Sequence, residues 1–227
     1  MTDLKCPICS NISSKTDIFH GICNDYIYEC EPCEYHFIDC ESFSSDDILR
    51  QQSENSQNFG MNFKRNELYL EIISDLISNS NISNILEIGT PSNYDLLKKL
   101  HNRFGNTIQL NSYDIIKSDL PDYIKFHDGS SFSGNEDFDL LVCLHTLEHI
   151  PTDELLHFVK LSKSISKYML FEVPGSITKA NIIKSLSNPH YSYFTSKALS
   201  NLFSKEYNYN TITDGSIRFN NLPTIND

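Results

Sequence analysis

The sequence predicts an α/β fold: a doubly wound, mostly parallel seven-stranded sheet with a small cysteine-rich ribbon at its N-terminus. Three observations predict it. From residue 63 onward, short apolar runs alternate with helical stretches, the pattern of βαβ units. The run Asp139-Leu140-Leu141-Val142-Cys143-Leu144 is almost wholly apolar, as a strand covered on both faces must be. Two C-x-x-C pairs, Cys6/Cys9 and Cys30/Cys33, stand near the start of the chain. The expected division is 1–40 for the ribbon, 41–62 for a polar linker and 63–227 for the α/β domain.

The ribbon rests on its cysteines. Each C-x-x-C forms a tight turn that aims two thiolates at one point, and two such turns complete a tetrahedral S₄ site suited to structural Zn²⁺. Ile18–Ile27 and Tyr35-His36-Phe37-Ile38 are expected as short flanking strands. About forty residues bury little apolar surface, so bound metal would supply folding energy that the core lacks. Four thiolates close the site, which leaves His20, His36 and Cys23 as bystanders. Cys23, Cys40 and Cys143 are expected to be plain thiols. A redox dithiol would need one pair opening a helix after a strand, and neither pair has that setting.

Beyond the linker, Leu68, Ile72, Ile73, Leu76 and Ile77 lie along one face of an amphipathic helix over 63–78. Ile85–Gly89 is the first strand of the sheet, followed by a helix over Tyr94–Arg103. Strands are expected at Ile108–Ile115, Tyr123–His127, Asp139–Leu144 and Tyr168–Val173. A helix over Asp153–Ile165, capped by Thr152, separates the last two. Short strands near Asn208–Thr213 and Ser216–Phe219 close the sheet antiparallel.

Composition narrows the function. The 227-residue chain carries a formal charge of −12, which repels phosphate backbones and disfavours nucleic acid as a partner. No apolar run is long enough to span a bilayer, and the N-terminus has no apolar signal core, so a cytoplasmic location is expected. The expected partner is a small molecule. Composition leaves the oligomeric state undetermined.

Ligands of open α/β sheets sit beyond the C-terminal strand ends. Those ends carry Glu87-Ile88-Gly89-Thr90, then Asp114-Ile115, then Asp128-Gly129, and finally His145-Thr146-Leu147-Glu148-His149-Ile150-Pro151. In this order and spacing, residues 65–220 resemble class I S-adenosylmethionine (SAM)-dependent methyltransferases, which have a Rossmann-like sheet. Leu-Glu-Ile-Gly is similar to their first motif, and Phe171-Glu172-Val173-Pro174 to their fifth strand. His190-Tyr191-Ser192-Tyr193-Phe194-Thr195 is similar to a stretch that precedes a late helix. Many family members that modify sugars or other polar metabolites also carry an N-terminal zinc module.

The resemblance implies SAM as cofactor, held by Glu87, Gly89, Thr90, Asp114, Ile115, Asp128 and Gly129, with His145 near its edge. Asp114 would grip ribose hydroxyls. His149, His190 and Tyr191 would face the acceptor, an imidazole taking its proton. One departure stands out. The family's G-x-G-x-G loop reads Gly89-Thr90-Pro91-Ser92-Asn93, with proline removing one amide. A nicotinamide fold is a poorer match, since G-x-G-x-x-G is absent.

His145, Glu148 and His149 stand at i, i+3 and i+4, and would point to one side of a helical turn. The spacing resembles the E-x-x-E-H metal ligands of Hen-type small-RNA 2′-O-methyltransferases and ubiquinone-pathway O-methyltransferases. His190 would be a further ligand of this second candidate site. Three functions follow: methyl transfer to oxygen or nitrogen of a polar small molecule such as a sugar or sugar nucleotide; a non-catalytic scaffold on a degenerate methyltransferase fold; and divalent-metal-dependent O-methylation, with an RNA acceptor disfavoured by charge.

Overall fold

The computed structural model describes residues 4–40, 59–91, 93–115, 119–128, 136–175, 178–186, 188–203, 207–211 and 216–222, with backbone alone at 59–64 and 209–211. The chain forms two interleaved compact units. One gathers residues 1–49, 144–161 and 171–221; the other gathers 50–143, 162–170 and 222–227.

In the first unit, the N-terminal strands are β1 (Leu4–Lys5), β2 (Ile12–His20), β3 (Asp25–Cys30) and β4 (Tyr35–Phe37). The strand expected over 18–27 is broken by a turn at Gly21–Asn24, where Asn24 takes a φ of 52°. Turn formation at this Gly-Ile-Cys-Asn sequence divides one apolar run into two antiparallel strands. Cys23 in that turn and Cys40 beyond β4 form a disulfide, with Cα atoms 5.8 Å apart. This corrects the expectation of plain thiols for both. The fold brings the hairpin turn beside the exit of β4, at a Cα spacing a disulfide spans, and sequence distance concealed it. Cys143 stays a free, buried thiol.

The other unit holds α1 (Phe59–Ser80), β5 (Asn84–Ile88), α2 (Asp95–Phe104), β6 (Gln109–Asp114), β7 (Ile124–Asp128) and β8 (Phe138–Leu144). The linker expected over 41–62 lies outside the described residues as far as 58, and α1 opens at Phe59. Strand β5 pairs in parallel with β6 and with β8, and β6 in parallel with β7. Leu140, Leu141, Val142 and Cys143 of β8 are fully buried, as their apolar run foretold. Polar contacts tie α1 to α2: Asn66 donates to Asp95 over 2.8 Å, and Arg103 to Glu71 over 2.7 Å. At the N-terminal strand ends, Asp139 accepts hydrogen bonds from the Ser83 and Asn84 amides, and these hold its carboxyl below the usual range despite burial.

The chain continues through α3 (Leu155–Ile165), β9 (Ser166–Pro174), α4 (Lys179–Ser185), β10 (Ser192–Tyr193), α5 (Ser196–Phe203), β11 (Asn208–Thr211) and β12 (Ser216–Asn220). Strand β9 passes through both units. Residues 166–170 of this strand belong to the second unit and 171–174 to the first. Strands β11 and β12 are antiparallel, as expected for the end of the chain. Phe171, Phe203 and Phe219 form their core, with Phe171 and Phe219 stacked at 4.9 Å. Strand β10 joins the ribbon, whose order is β1-β2-β3-β4-β10. A two-residue strand in a Tyr-rich loop has no readable period, so sequence analysis did not separate it.

Candidate functional site

Three groups of chemistry-bearing residues emerge, two in the first unit and one in the second. The four cysteines come together as expected. Their sulfurs lie within 4.8 Å of one another, and those of Cys9 and Cys30 are 3.5 Å apart. The knuckles are built locally: the Ser10 amide donates to the Cys6 carbonyl over 2.8 Å, and Pro32 lies within the 3₁₀ turn Glu31–Cys33. Burial pushes the Cys6 thiol up to about 12 and raises that of Cys33, whereas hydrogen bonds outweigh burial at Cys9 and lower its thiol. The donor set and its closure fit Zn²⁺. The group consists of the four cysteines and does not include His20 or His36. His20 is buried and its Nδ1 accepts from the Cys23 amide over 3.3 Å; burial lowers its basicity.

The second group surrounds the turn after β8. The expected helical face over 145–149 takes another form. His145 has a φ of 55°, and only Leu147–His149 form a 3₁₀ turn. The His145 amide donates to the Glu172 carbonyl over 2.8 Å, which keeps this residue at the strand edge and out of the turn. Its Nε2 lies 2.7 Å from Glu172 Oε1, and its Nδ1 lies 3.5 Å from Glu148 Oε1. Both carboxylates are buried. Ser216 Oγ is a further neighbour of His145 Nε2 at 3.4 Å.

Glu148, His149 and His190 can each offer an atom to one ion, all within 4.8 Å, whereas His145 turns its ring to the two carboxylates. His149 Nδ1 donates to the Pro189 carbonyl over 2.9 Å, which leaves its Nε2 to face the group. The His149 and His190 rings meet edge to face with centroids 4.7 Å apart. Burial, reinforced by the charge of His149, depresses His190 to about 3, so its ring is neutral. Burial alone would raise Glu148, but the hydrogen bond from His145 and the charge of His149 outweigh it and hold the carboxyl at about 2. Glu148 Oε2 is buried with no hydrogen-bond partner among the described residues. Two neutral-capable imidazoles beside an ionised, half-satisfied carboxylate suit a divalent cation. Tyr191 is buried, and its amide donates to the Glu148 carbonyl over 2.9 Å.

The third group lies at the ends of β5, β6 and β7. Glu87 is buried, and its Oε2 has no hydrogen-bond partner among the described residues. Burial lifts its carboxyl to about 8. Gly89 follows with a φ of 71°, a backbone that favours glycine, and its amide donates to the Tyr113 carbonyl over 2.9 Å. Thr90 replaces a loop glycine by turning inward: it is buried, and Ser112 Oγ donates to its hydroxyl over 2.8 Å. Asp114 and Asp128 are register partners at the ends of β6 and β7. Ile115 is exposed. Gly129 lies outside the described residues. A buried carboxyl with an open oxygen fits a ligand that presents cationic or N–H groups, as SAM does.

Solved structures share this architecture. The plantazolicin methyltransferase BpumL, in complex with a desmethyl plantazolicin analogue and S-adenosylhomocysteine, superposes with a TM-score of 0.57 at 12% identity, over 78% of this chain and 90% of that one. A Nostoc punctiforme protein described as an O-methyltransferase gives 0.52 at 12% identity, over 66% and 54%. The small RNA methyltransferase HEN1 gives 0.52 at 19% identity, over 70% of this chain and 25% of that one. The fold is that of a SAM-dependent methyltransferase. This chain thus spans about half of the Nostoc protein and a quarter of HEN1. No family model matches the sequence, and no curated protein matches it. No described helix is long and apolar enough to cross a membrane.

Glu172 joins the second group from the fifth strand of the resemblance, fully buried against the His145 ring. A glutamate in the otherwise apolar run Met169–Val173 was the available signal.

Proposed function

We propose that this protein transfers a methyl group from SAM to an oxygen or nitrogen of a polar small molecule, a sugar or sugar nucleotide being the favoured class. The observation that carries the reading is the open oxygen of buried Glu87 after β5, on a fold shared with proteins solved with S-adenosylhomocysteine. In this reading Glu87, Gly89, Thr90, Asp114, Ile115, Asp128 and Gly129 hold the cofactor. The cofactor supplies an activated methyl on a cationic sulfur, and the protein must orient the acceptor and receive its proton.

His149 is the proposed proton acceptor, because its Nδ1 donates to the Pro189 carbonyl and orients Nε2 toward Glu148. His190, neutral through burial, and Tyr191 are proposed to line the acceptor side. The four cysteines are proposed to hold one structural zinc ion.

Calorimetric titration with SAM and with S-adenosylhomocysteine tests the reading. Micromolar binding that weakens about tenfold or more in Asp114→Ala, or ~1.4 kcal/mol, supports it. Absence of binding by a well-folded sample overturns it in favour of a scaffold on the same fold, which Thr90 and Pro91 in place of loop glycines would suit.

A second reading has its own observation. The clustering of Glu148, His149 and His190 favours a divalent-metal-dependent O-methyltransferase. The ion would be held by these three, with His145 orienting Glu148, and would lower the pKa of a bound acceptor hydroxyl. HEN1 acts on small RNA, but the −12 charge of this chain opposes an RNA acceptor.

A further inference from the structure

The ribbon is joined to the His190 segment by a dense set of contacts. Strand β4 begins two residues after Cys33, and β10 begins two residues after His190. They pair antiparallel, Ser192 with Phe37 and Tyr193 with His36. The Ile38 amide donates to the Tyr191 carbonyl over 3.0 Å. The hydroxyls of Tyr35 and Ser192 share a buried hydrogen bond of 2.5 Å. Thr195 Oγ1 donates to the Glu34 carbonyl over 2.9 Å, and Lys197 pairs with the Glu34 carboxylate at 3.0 Å. Tyr193 also packs in one apolar cluster with Ile18 and Ile27 of the ribbon.

On its other side the same segment meets the turn after β8. The Tyr191 amide donates to the Glu148 carbonyl, and Pro189 accepts from His149. A two-residue strand cannot order itself, and β10 lies at the edge of its sheet with β4 as its neighbour. The ribbon in turn is too small to fold on its own apolar surface and depends on its metal.

We propose that the ribbon is the positioning element of the His190 site: the metal-bound cysteine knuckle, acting through Glu34 and Tyr35 on Ser192 and Thr195, sets the segment 190–193 against Glu148 and His149. This rests on the reading of the four cysteines as a zinc site and of His190 as an acceptor-side residue. Glu34 and Tyr35 are positioning residues. The hairpin is thereby part of the site's construction, and its loss removes His190 from the group without touching the ends of β5 and β6.

Hydrogen exchange by mass spectrometry on the full chain tests this independently of activity. Elemental analysis comes first: a purified protein without zinc overturns the zinc reading alone. With zinc bound, chelation is expected to accelerate exchange at least tenfold in 188–195 together with 25–37, while 84–88 and 138–143 keep their protection. Retained protection in 188–195 after 25–37 has lost it overturns the proposal.

If chelation unfolds the entire chain, Tyr35→Phe and Ser192→Ala decide. Each keeps the ring or backbone and removes one hydroxyl. Severalfold faster exchange confined to 188–195, no greater in the double variant than in either single one, supports positioning through this contact. Unchanged exchange there overturns it. An equal rise in the ribbon and in 138–143 marks a general loss of stability and also overturns it.

Discussion

His145 Nε2 lies 2.7 Å from Glu172 Oε1, and the same ring presents Nδ1 to Glu148 at 3.5 Å, so one imidazole bridges two buried carboxylates. The bridge explains why a non-glycine residue is held at a φ of 55° at the end of β8. His145→Ala would leave both acids buried without their shared partner. Breaking a buried ion pair costs about 3–5 kcal/mol, and the partial exposure of His145 puts the expected loss toward the lower end. Urea unfolding should show this loss. A change below about 1 kcal/mol would mean that the bridge contributes little to stability.

Glu87 makes stability depend on pH in the opposite direction from most carboxylates. Its folded value of about 8 lies above that of an exposed glutamate, near 4.5, so the folded chain binds a proton that the unfolded chain releases between those values. Stability is full below about pH 4.5 for this group and falls as pH rises through 8, at up to ~1.36 kcal/mol per pH unit. Glu87→Gln should flatten that slope between pH 5 and 8. An identical slope in wild type and variant, measured by urea midpoints in phosphate buffers, would assign the dependence elsewhere.

The cysteine cluster should retain about one zinc ion per chain through purification, and Cys9→Ser or Cys30→Ser should lose it. The thermal midpoint should fall with the metal, because the ribbon has little apolar core of its own. Zinc content unchanged in both variants would contradict the assignment.

The Glu148, His149 and His190 group should bind Co²⁺ or Mn²⁺ in protein whose zinc site is already filled. Glu148→Ala should weaken that binding by about tenfold or more, whereas Glu172→Gln, one step removed from the ion, should weaken it less. Equal affinity in wild type and Glu148→Ala would confine these residues to proton transfer and packing.

Reduction of the Cys23–Cys40 disulfide should destabilise the ribbon. It closes a loop of sequence separation 17, for which chain entropy predicts about 3 kcal/mol. Thiol counting before and after reductant should show two additional free thiols. Five reactive thiols in the unreduced, zinc-free, unfolded chain are expected from the free cysteines, and seven would show that the disulfide does not form.

The amino-acid sequence by itself determined the elements whose signal is local. The apolar run 139–144 is β8, the amphipathic stretch after 63 lies within α1, and the C-x-x-C pairs meet because each turn is encoded by its own four residues. Glycine at 89 announced the strand-ending turn through its need for a positive φ. Tertiary structure alone decided which of the histidines stand together. His145 departs from the group its spacing suggested because a residue 27 positions away, Glu172, claims its ring. His190 joins Glu148 because a two-residue strand pairs with a ribbon more than 150 residues earlier, as the Tyr35–Ser192 bond shows. Cys23 finds Cys40 for the same reason. Periodicity reports which face a residue takes on its own element. Hydrogen bonds between elements distant in sequence exist only once the chain has folded, and those bonds built the site.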